Sequence, residues 1–494
     1  MAGIKSLVKD TAVYGLSSIV GRFLNWCLVP LYTYLFVASE YGVVSFLYSF
    51  TAVALVILNY GMETGFFRFA NKHDEPETVY TTSLVAVGST SCLFIALLME
   101  FLTPVSGWLH VSAHPEYVAM LGITVAIDAF TNLPFAYLRY KKRPFRFAGI
   151  KLMNVGLNIG LNLFFLLCCP WLMSRCPGAI SWFYEPLGGA GFGIGWIFLA
   201  NLISTICILL MLLPELTGRR YRLDTSLLRD MLSYSWPLLI LGIAGVLSQN
   251  MGQMVMPYLF PDNKQAADTM VGIYSANMKI AIVMVMFTQA FRYAYEPFIF
   301  SQASQSGEGK KQAYCDAMKY FVIFGLFIFL GVMYFLPVLR HFIAPGYWEG
   351  LRIVPVLMAA ELCFGVFFNL SLWYKLTDRT RWGMYLSLIC FVVMLVCNIW
   401  LVRWIGIPGG YMGSAWAALI AYFAVMVISY FLGRKYYPLD YPVGRMGLFL
   451  ILAAVLWGAG AWLSTIFVAG VAYAIKILLL AIYAGAVVIE RKKG

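Results

Sequence analysis

The chain has 494 residues, 61% of them hydrophobic and only 12% charged, with a mean hydropathy of +0.79. A soluble domain carries about 25% charged residues, so the composition excludes a soluble enzyme and leaves a polytopic membrane protein without a sizeable domain between its spans. The net charge of +12 would suit nucleic acid, but its placement along the chain assigns it to the membrane surface instead.

Fourteen membrane spans are predicted, at about 9–36, 41–69, 77–103, 116–140, 146–170, 189–213, 227–258, 270–301, 311–339, 350–376, 381–403, 410–434, 443–465 and 467–489. The N-terminal MAGIKSLVKD leads into an apolar run too long for a signal-peptide core and lacks a small-residue cleavage site. It is expected to remain as the first span.

Span 1 places Tyr14, Ser18, Arg22 and Asn25 on one face. A charge at mid-membrane costs at least ~2.5–3.5 kcal/mol on insertion scales. Arg22 is therefore expected to face a polar cavity and to bind an anionic substrate. Span 2 carries Asn59 and Glu63, span 4 Thr124, Asp128 and Thr131, and span 5 Lys151, Asn154, Asn158 and Asn162. Span 7 has Gln249 and Gln253, with Gly242 and Gly245 near that face, and span 10 has Glu361 and Asn369. Two readings of these stripes stand. They are interhelical hydrogen bonds, each contributing only ~0.6–2 kcal/mol, or they line a route for a polar substrate.

The eighth span, VGIYSANMKIAIVMVMFTQAFRYAYEPFIF at 271–300, is the most informative. It is mostly apolar yet holds Lys279, Arg292 and Glu296. Arg292 and Glu296 are four apart and share a face with Gln289; Lys279 falls on another face, near Gly272, Ser275 and Ala276. The Arg292–Glu296 pair reads either as charge neutralisation for insertion or as a switch. In the second case Glu296 holds Arg292 until an anionic substrate takes the guanidinium over.

Of the 35 Lys and Arg residues, 26 fall on one side of the predicted topology, including the clusters KKRPFR at 141–146 and LTGRRYRLD at 216–224. Five fall on the other side, and Arg22, Lys279, Arg292 and Lys476 lie within spans. The positive-inside rule puts both termini in the cytoplasm. The basic loops then face the inner leaflet, where anionic lipid accounts for the net charge without nucleic acid.

A repeat of roughly 220 residues is visible, a symmetry common in transporters. Lys9-Asp10 and Tyr14 are echoed by Arg229-Asp230 and Tyr234, and Tyr34-Leu35-Phe36 by Tyr258-Leu259-Phe260. Tyr140-Lys141 returns as Tyr374-Lys375, and GGAGFGIGW at 188–196 as GGYMGSAW at 409–416. Each copy covers six spans. The expected fold is therefore all-α, with two six-helix lobes at 1–215 and 216–436 related by an axis along the membrane normal. Two further helices follow at 437–494. They are apolar apart from Ser464, Thr465 and Lys476, and either shelter lipid tails or pack outside the lobes.

Ten cysteines lie mostly in apolar runs without a CxxC pair. Cys168, Cys169 and Cys176 cluster near one outer loop, where burial as small apolar side chains competes with a disulfide. His110 and His114 straddle a region containing Pro115 without a third ligand nearby, so no metal site is expected there.

LVPLYTYLF at 28–36, EYGVVSFLYSF at 40–50 and NYGMETGFFRF at 59–69 resemble the start of the polysaccharide-transport (Wzx-type, O-antigen) flippases. These belong to the multidrug/oligosaccharidyl-lipid/polysaccharide exporter superfamily. The eighth span resembles theirs as well, with Tyr295-Glu296-Pro297-Phe298 near its end. The resemblance covers essentially the whole chain. It implies two lobes around a central cavity, alternating access, and a polyprenyl-diphosphate-linked oligosaccharide as substrate in the cytoplasmic membrane. It also implies membrane lipids, a polysaccharide polymerase and glycosyltransferases as partners, and cationic cavity residues on helices 1 and 8, here Arg22 and Arg292, with Lys279 beside them.

Beside that resemblance, Arg22, Lys279 and Arg292 are expected to balance a diphosphate, and Asn25, Gln249 and Gln253 to contact sugar hydroxyls. No cofactor is expected, and no ATP-binding motif is found. A coupling or gating role for Glu63, Asp128, Glu296 or Glu361 is left open. The rivals are a drug/cation antiporter of the same superfamily, which favours an acidic aromatic pocket, and a membrane-bound polymerase or ligase of lipid-linked sugars. The enzyme would need outer loops holding acid, base or metal groups, and the predicted outer loops are short.

Overall fold

The structure is a computed structural model that describes residues 20–21, 23–303, 308–377, 379 and 381–493. Side chains are described for these apart from 293–294, 296–303, 308–310, 375, 469 and 492–493. Arg22, Tyr14 and Ser18 thus lie outside the described residues, as does the side chain of Glu296.

The described residues are helical and contain no strand, as the hydropathy pattern requires. Inside a bilayer only a helix or a closed barrel satisfies every backbone N–H and C=O. Among the described residues twelve helices are long and apolar enough to cross a membrane, from Ala38–Ala70 to Gly470–Arg491, and the apolar Gly195–Met211 is shorter. These account for thirteen of the expected spans; of the first, the described part ends in the helix Leu28–Leu35.

Proline sets several starts. Pro76, Pro115 and Pro144 each open a helix, where the missing N–H is not needed and φ is already helical. The second span is interrupted. Ala38–Asn59 ends, Gly61 takes φ 72°, and Met62–Ala70 resumes. A Cβ on Gly61 would lie 3.0 Å from the Ser235 carbonyl oxygen, and the Ser235 hydroxyl donates to the Gly61 carbonyl at 3.3 Å. Only glycine tolerates both the left-handed backbone and this close crossing.

The described residues form two compact units. The first draws on Met1–Tyr32 and Val43–Asn250, the second on Thr33–Gly42 and Met251–Gly494. In the first unit Met62, Phe66, Tyr80, Leu133, Tyr137 and Met231 form one core, with the Tyr80 and Tyr137 rings stacked at 4.3 Å. A second cluster packs Trp196 against Phe165 and Tyr184.

In the second unit Tyr295, Tyr314, Leu372 and Leu439 share a core. The helices Val443–Ile466 and Ala469–Lys493 pack on Glu308–Leu339. The Tyr334 hydroxyl donates to the Leu456 carbonyl at 2.7 Å and the Tyr483 hydroxyl to the Ile323 carbonyl at 3.0 Å. Lys319, almost wholly buried, reaches Asp316 at 3.1 Å and Glu490 at 3.8 Å. The last two helices are thus fastened to one neighbour by polar contacts as well as by apolar area.

Candidate functional site

The first unit gathers several of the expected polar residues. The Glu63 carboxylate is ion-paired with Arg139, whose guanidinium lies 5.1 Å from the Phe67 ring centroid. Asp128 accepts a hydrogen bond from the Thr205 hydroxyl at 3.3 Å. Lys151 lies 4.0 Å from the Phe135 ring centroid and within electrostatic reach of Asp128, Arg139 and Glu63. Two acids and two bases, all partly buried, therefore form one balanced group. Burial of an unpaired charge would be costly, which is why these residues collect here.

A second polar line of that unit runs along the fifth span. The Asn158 amide reaches the exposed Asn25 side chain at 3.5 Å, Asn162 donates to the Asn158 carbonyl at 2.8 Å, and the Tyr32 hydroxyl donates to Asn162 at 2.9 Å. Gln249 is exposed.

In the second unit Gln253 is buried and donates to the Ser275 hydroxyl at 3.1 Å. Asn277, fully buried, donates to the carbonyls of Ile273 and Tyr347 at 2.8 and 2.9 Å. Asn398 accepts from the Ser414 hydroxyl at 2.7 Å. Lys279 is half-buried. Glu361, also half-buried, lies within electrostatic reach of the Tyr274 and Tyr422 phenols.

The exposed Arg292 places its guanidinium carbon 4.3 Å from the Phe368 ring centroid, a cation–π geometry. One turn before it on the same helix is Thr288; next to Phe368 in the chain is Asn369. Thr288 and Asn369 are both buried, and the Thr288 hydroxyl and both amide atoms of Asn369 lack a hydrogen-bond partner among the described residues. A Cβ on Gly365 would sit 3.0 Å from the Thr288 hydroxyl, so the two helices touch here. Buried polar groups normally find partners. Three buried polar atoms without partners among the described residues, one helical turn from a guanidinium on an aromatic face, make this the candidate place for an anionic, hydrogen-bonding ligand.

Lys279 and Arg292 share the helix Lys264–Ala303. Thirteen residues separate them, roughly 20 Å along the axis, so one diphosphate does not span both.

Sequence reasoning missed Thr288 and Phe368 as neighbours of Arg292, and Arg139 as the partner of Glu63. No linear signal joins positions 76 apart. Among the described residues no three His, Cys, Asp or Glu side chains lie close enough to hold a metal ion. His114 instead contacts Glu116 at 2.8 Å. Cys168, Cys169 and Cys176 carry free thiols, with Cys169 buried and the other two exposed.

No protein-family model matches the sequence, and no curated protein matches it either. Solved structures do. A lipid II flippase MurJ in an inward closed conformation aligns over 98% of this chain and 99% of its own, with a TM-score of 0.71 and 11% identity. A multidrug resistance MATE family transporter of the MOP superfamily, inward-facing, aligns over 89% of this chain and 95% of its own, with a TM-score of 0.60 and 16% identity. A MATE in the straight conformation gives 0.58 and 15%, over 90% of this chain and 96% of its own. The chain has the fold of these transporters. At such identities the likeness concerns the path of the backbone and leaves side-chain roles to be argued from this chain's own residues.

Proposed function

We propose that the protein is a flippase that moves a polyprenyl-diphosphate-linked oligosaccharide across the cytoplasmic membrane by alternating access, for cell-surface polysaccharide synthesis. The observation that carries this reading is the end-to-end likeness to a lipid II flippase, which extends over 98% of the chain. The cations in the spans supply the chemistry. Arg292 takes the diphosphate on the Phe368 face, with Thr288 and Asn369 contributing hydrogen bonds, because a guanidinium fork engages phosphate bidentately. Lys279, roughly 20 Å away along the helix, meets the same group at a later stage of the passage. Arg22 is the third cation of the path, and Asn25, Gln249 and Gln253 contact sugar hydroxyls.

The outward passage of an anion is favoured by an inside-negative potential, by ~2.3 kcal/mol per charge per 100 mV. The carrier therefore needs no nucleotide. Of the acidic candidates for coupling or gating, Glu63 and Asp128 have partners within their own unit. That supports a structural part for them, and Glu361 and Glu296 are kept as the candidates for coupling. Both termini are taken to be cytoplasmic.

A second reading, a drug/cation antiporter, has the MATE likeness in its favour. The two cations Lys279 and Arg292 within the eighth span, where such an antiporter favours an acidic pocket, weigh against it. The experiment is export of surface glycan, and of ethidium, from cells whose own copy is replaced by variants. Arg292→Ala should abolish glycan export with the protein still inserted, and Arg292→Lys should restore part of it. The double variant Arg292→Met with Glu296→Gln should also fail. Glycan export at wild-type level by that double variant would reduce the pair to charge neutralisation. Ethidium efflux without glycan export by the unaltered protein would replace the reading with the antiporter.

A further inference from the structure

Two cavities of the first unit follow one another along one helix. The first, about 560 Å³, is polar and is lined by Glu77, Thr81, Tyr137, Arg219, Arg220 and Arg222 among others. The second, about 470 Å³, is apolar, with Val85, Ala86, Leu228, Leu232, Trp236 and Leu239 in its wall. On the helix Pro76–Glu100, Thr78 and Thr81 line the first, and Val85 and Ser89 the second. These positions follow at helical spacing on one face, so the polar cavity gives way to the apolar one about a turn deeper. The facing wall changes in the same order. Arg222 lines the polar cavity, and its neighbour Leu223 the apolar one. This strand of chain is pinned to the helix: the Thr82 hydroxyl donates to the Arg222 carbonyl at 3.2 Å, and the Asp224 amide donates to the Thr82 oxygen at 3.2 Å.

The charges of the polar cavity are not all spent internally. Glu77 is ion-paired with Arg219 and with Lys141 at 3.1 Å, and accepts a hydrogen bond from Tyr137 at 2.6 Å. Glu75 accepts from the Thr78 hydroxyl at 2.9 Å. Arg220 and Arg222 are exposed, and neither guanidinium has an ion pair or hydrogen bond among the described residues. Two available guanidinia stand at the polar end of an apolar groove, on the face of the membrane that carries the basic loops 141–146 and 216–224.

We propose that the two cavities together hold one anionic phospholipid of that leaflet, with its phosphate between Arg220 and Arg222 and an acyl chain along Val85, Leu232 and Trp236. The match is of charge to charge at the surface and of hydrocarbon to hydrocarbon one turn below. The site lies within one unit and does not depend on what the transporter carries.

Native mass spectrometry of the full chain in detergent tests this, with phosphatidylglycerol or phosphatidylcholine of equal chain length added. The wild type should retain one phosphatidylglycerol per chain in about tenfold preference. Arg220→Gln with Arg222→Gln should erase the preference, and Arg220→Lys with Arg222→Lys should keep it. Ala86→Trp, which fills the groove, should lower retention of both lipids. Thermal unfolding of each variant checks that it is folded. Equal retention of the two lipids by the wild type would overturn the proposal, as would a preference that the glutamine variant keeps. So would displacement of the lipid by inorganic phosphate together with full retention by Ala86→Trp, since the site would then be a headgroup-only anion site.

Discussion

Gly42 and Gly272 face each other where the helix Ala38–Asn59 begins against Lys264–Ala303. A Cβ on Gly42 would lie 1.8 Å from the Asp268 carbonyl oxygen, and one on Gly272 would lie 1.8 Å from the Ala38 carbonyl oxygen. The atoms in the way are backbone and cannot swing aside. This contact lies in the second unit and holds the eighth helix, with Lys279 and Arg292 on it, against its neighbour. Gly272→Leu should cost at least the ~1–3 kcal/mol of an overpacked core and lower the thermal midpoint in detergent. Gly470→Leu, with nothing within 4 Å of its Cβ position, should not. Equal midpoints for the two variants would contradict the packing.

The Glu63–Arg139 pair should behave as a unit. Their side chains are 40% and 33% exposed, between the limits of surface and buried pairs. Either Glu63→Gln or Arg139→Met should therefore destabilise by about 1–3 kcal/mol. The double variant should recover part of that loss in a double-mutant cycle. Strictly additive losses would mean that the two do not interact.

Asp224 precedes the helix Thr225–Leu259 and accepts from the Leu227 amide at 3.0 Å and the Ser226 hydroxyl at 2.7 Å. These bonds, that of Leu227 first, hold its carboxyl below the usual carboxylate value. The stabilisation is present above the unfolded pKa of ~3.9 and is lost as pH falls through the lowered folded value. Asp224→Asn should be less stable than wild type at pH 7 and equal to it once the pH drops below that folded value. Thermal unfolding as a function of pH measures this, and a gap that persists in acid would contradict the cap.

Much of the fold was legible because spans are written in hydropathy, and proline marks where several of them start. The interruption at Gly61 was not, since the apolar pattern of 41–69 continues across it and only the crossing by Ser235 shows why the helix breaks. The repeated glycine-tryptophan runs show the same limit. Trp196 is buried at 2% exposure whereas Trp416 is 45% exposed, because neighbours distant in sequence decide which surface a similar local run presents. Several polar residues of the candidate site, Asn369 and Gln253 among them, were picked out by helical spacing, and Thr288 was not. Their partners Arg139, Thr205, Ser275 and Phe368 lie on other helices and leave no mark on that spacing.

The orientation in the membrane, argued from the 26 to 5 asymmetry of Lys and Arg, can be read by labelling. In a cysteine-free background, single cysteines at Ser39, Ala113, Gln265 and Gly409 should react with an impermeant thiol reagent outside the cell. Those at Lys72, Arg220 and Gly309 should not. The reverse pattern would invert the topology.

The proposed function is the carriage of a lipid-linked glycan across a bilayer. Purified protein in proteoliposomes, with a fluorescent polyprenyl-diphosphate oligosaccharide in both leaflets, tests it through the fraction of fluorescence that an impermeant quencher reaches over time. The wild type should equilibrate the probe rapidly, and faster under a potential that draws the anion across, whereas Arg292→Ala should stay little above the protein-free rate. Equilibration no faster than in protein-free vesicles for the folded wild type would contradict it.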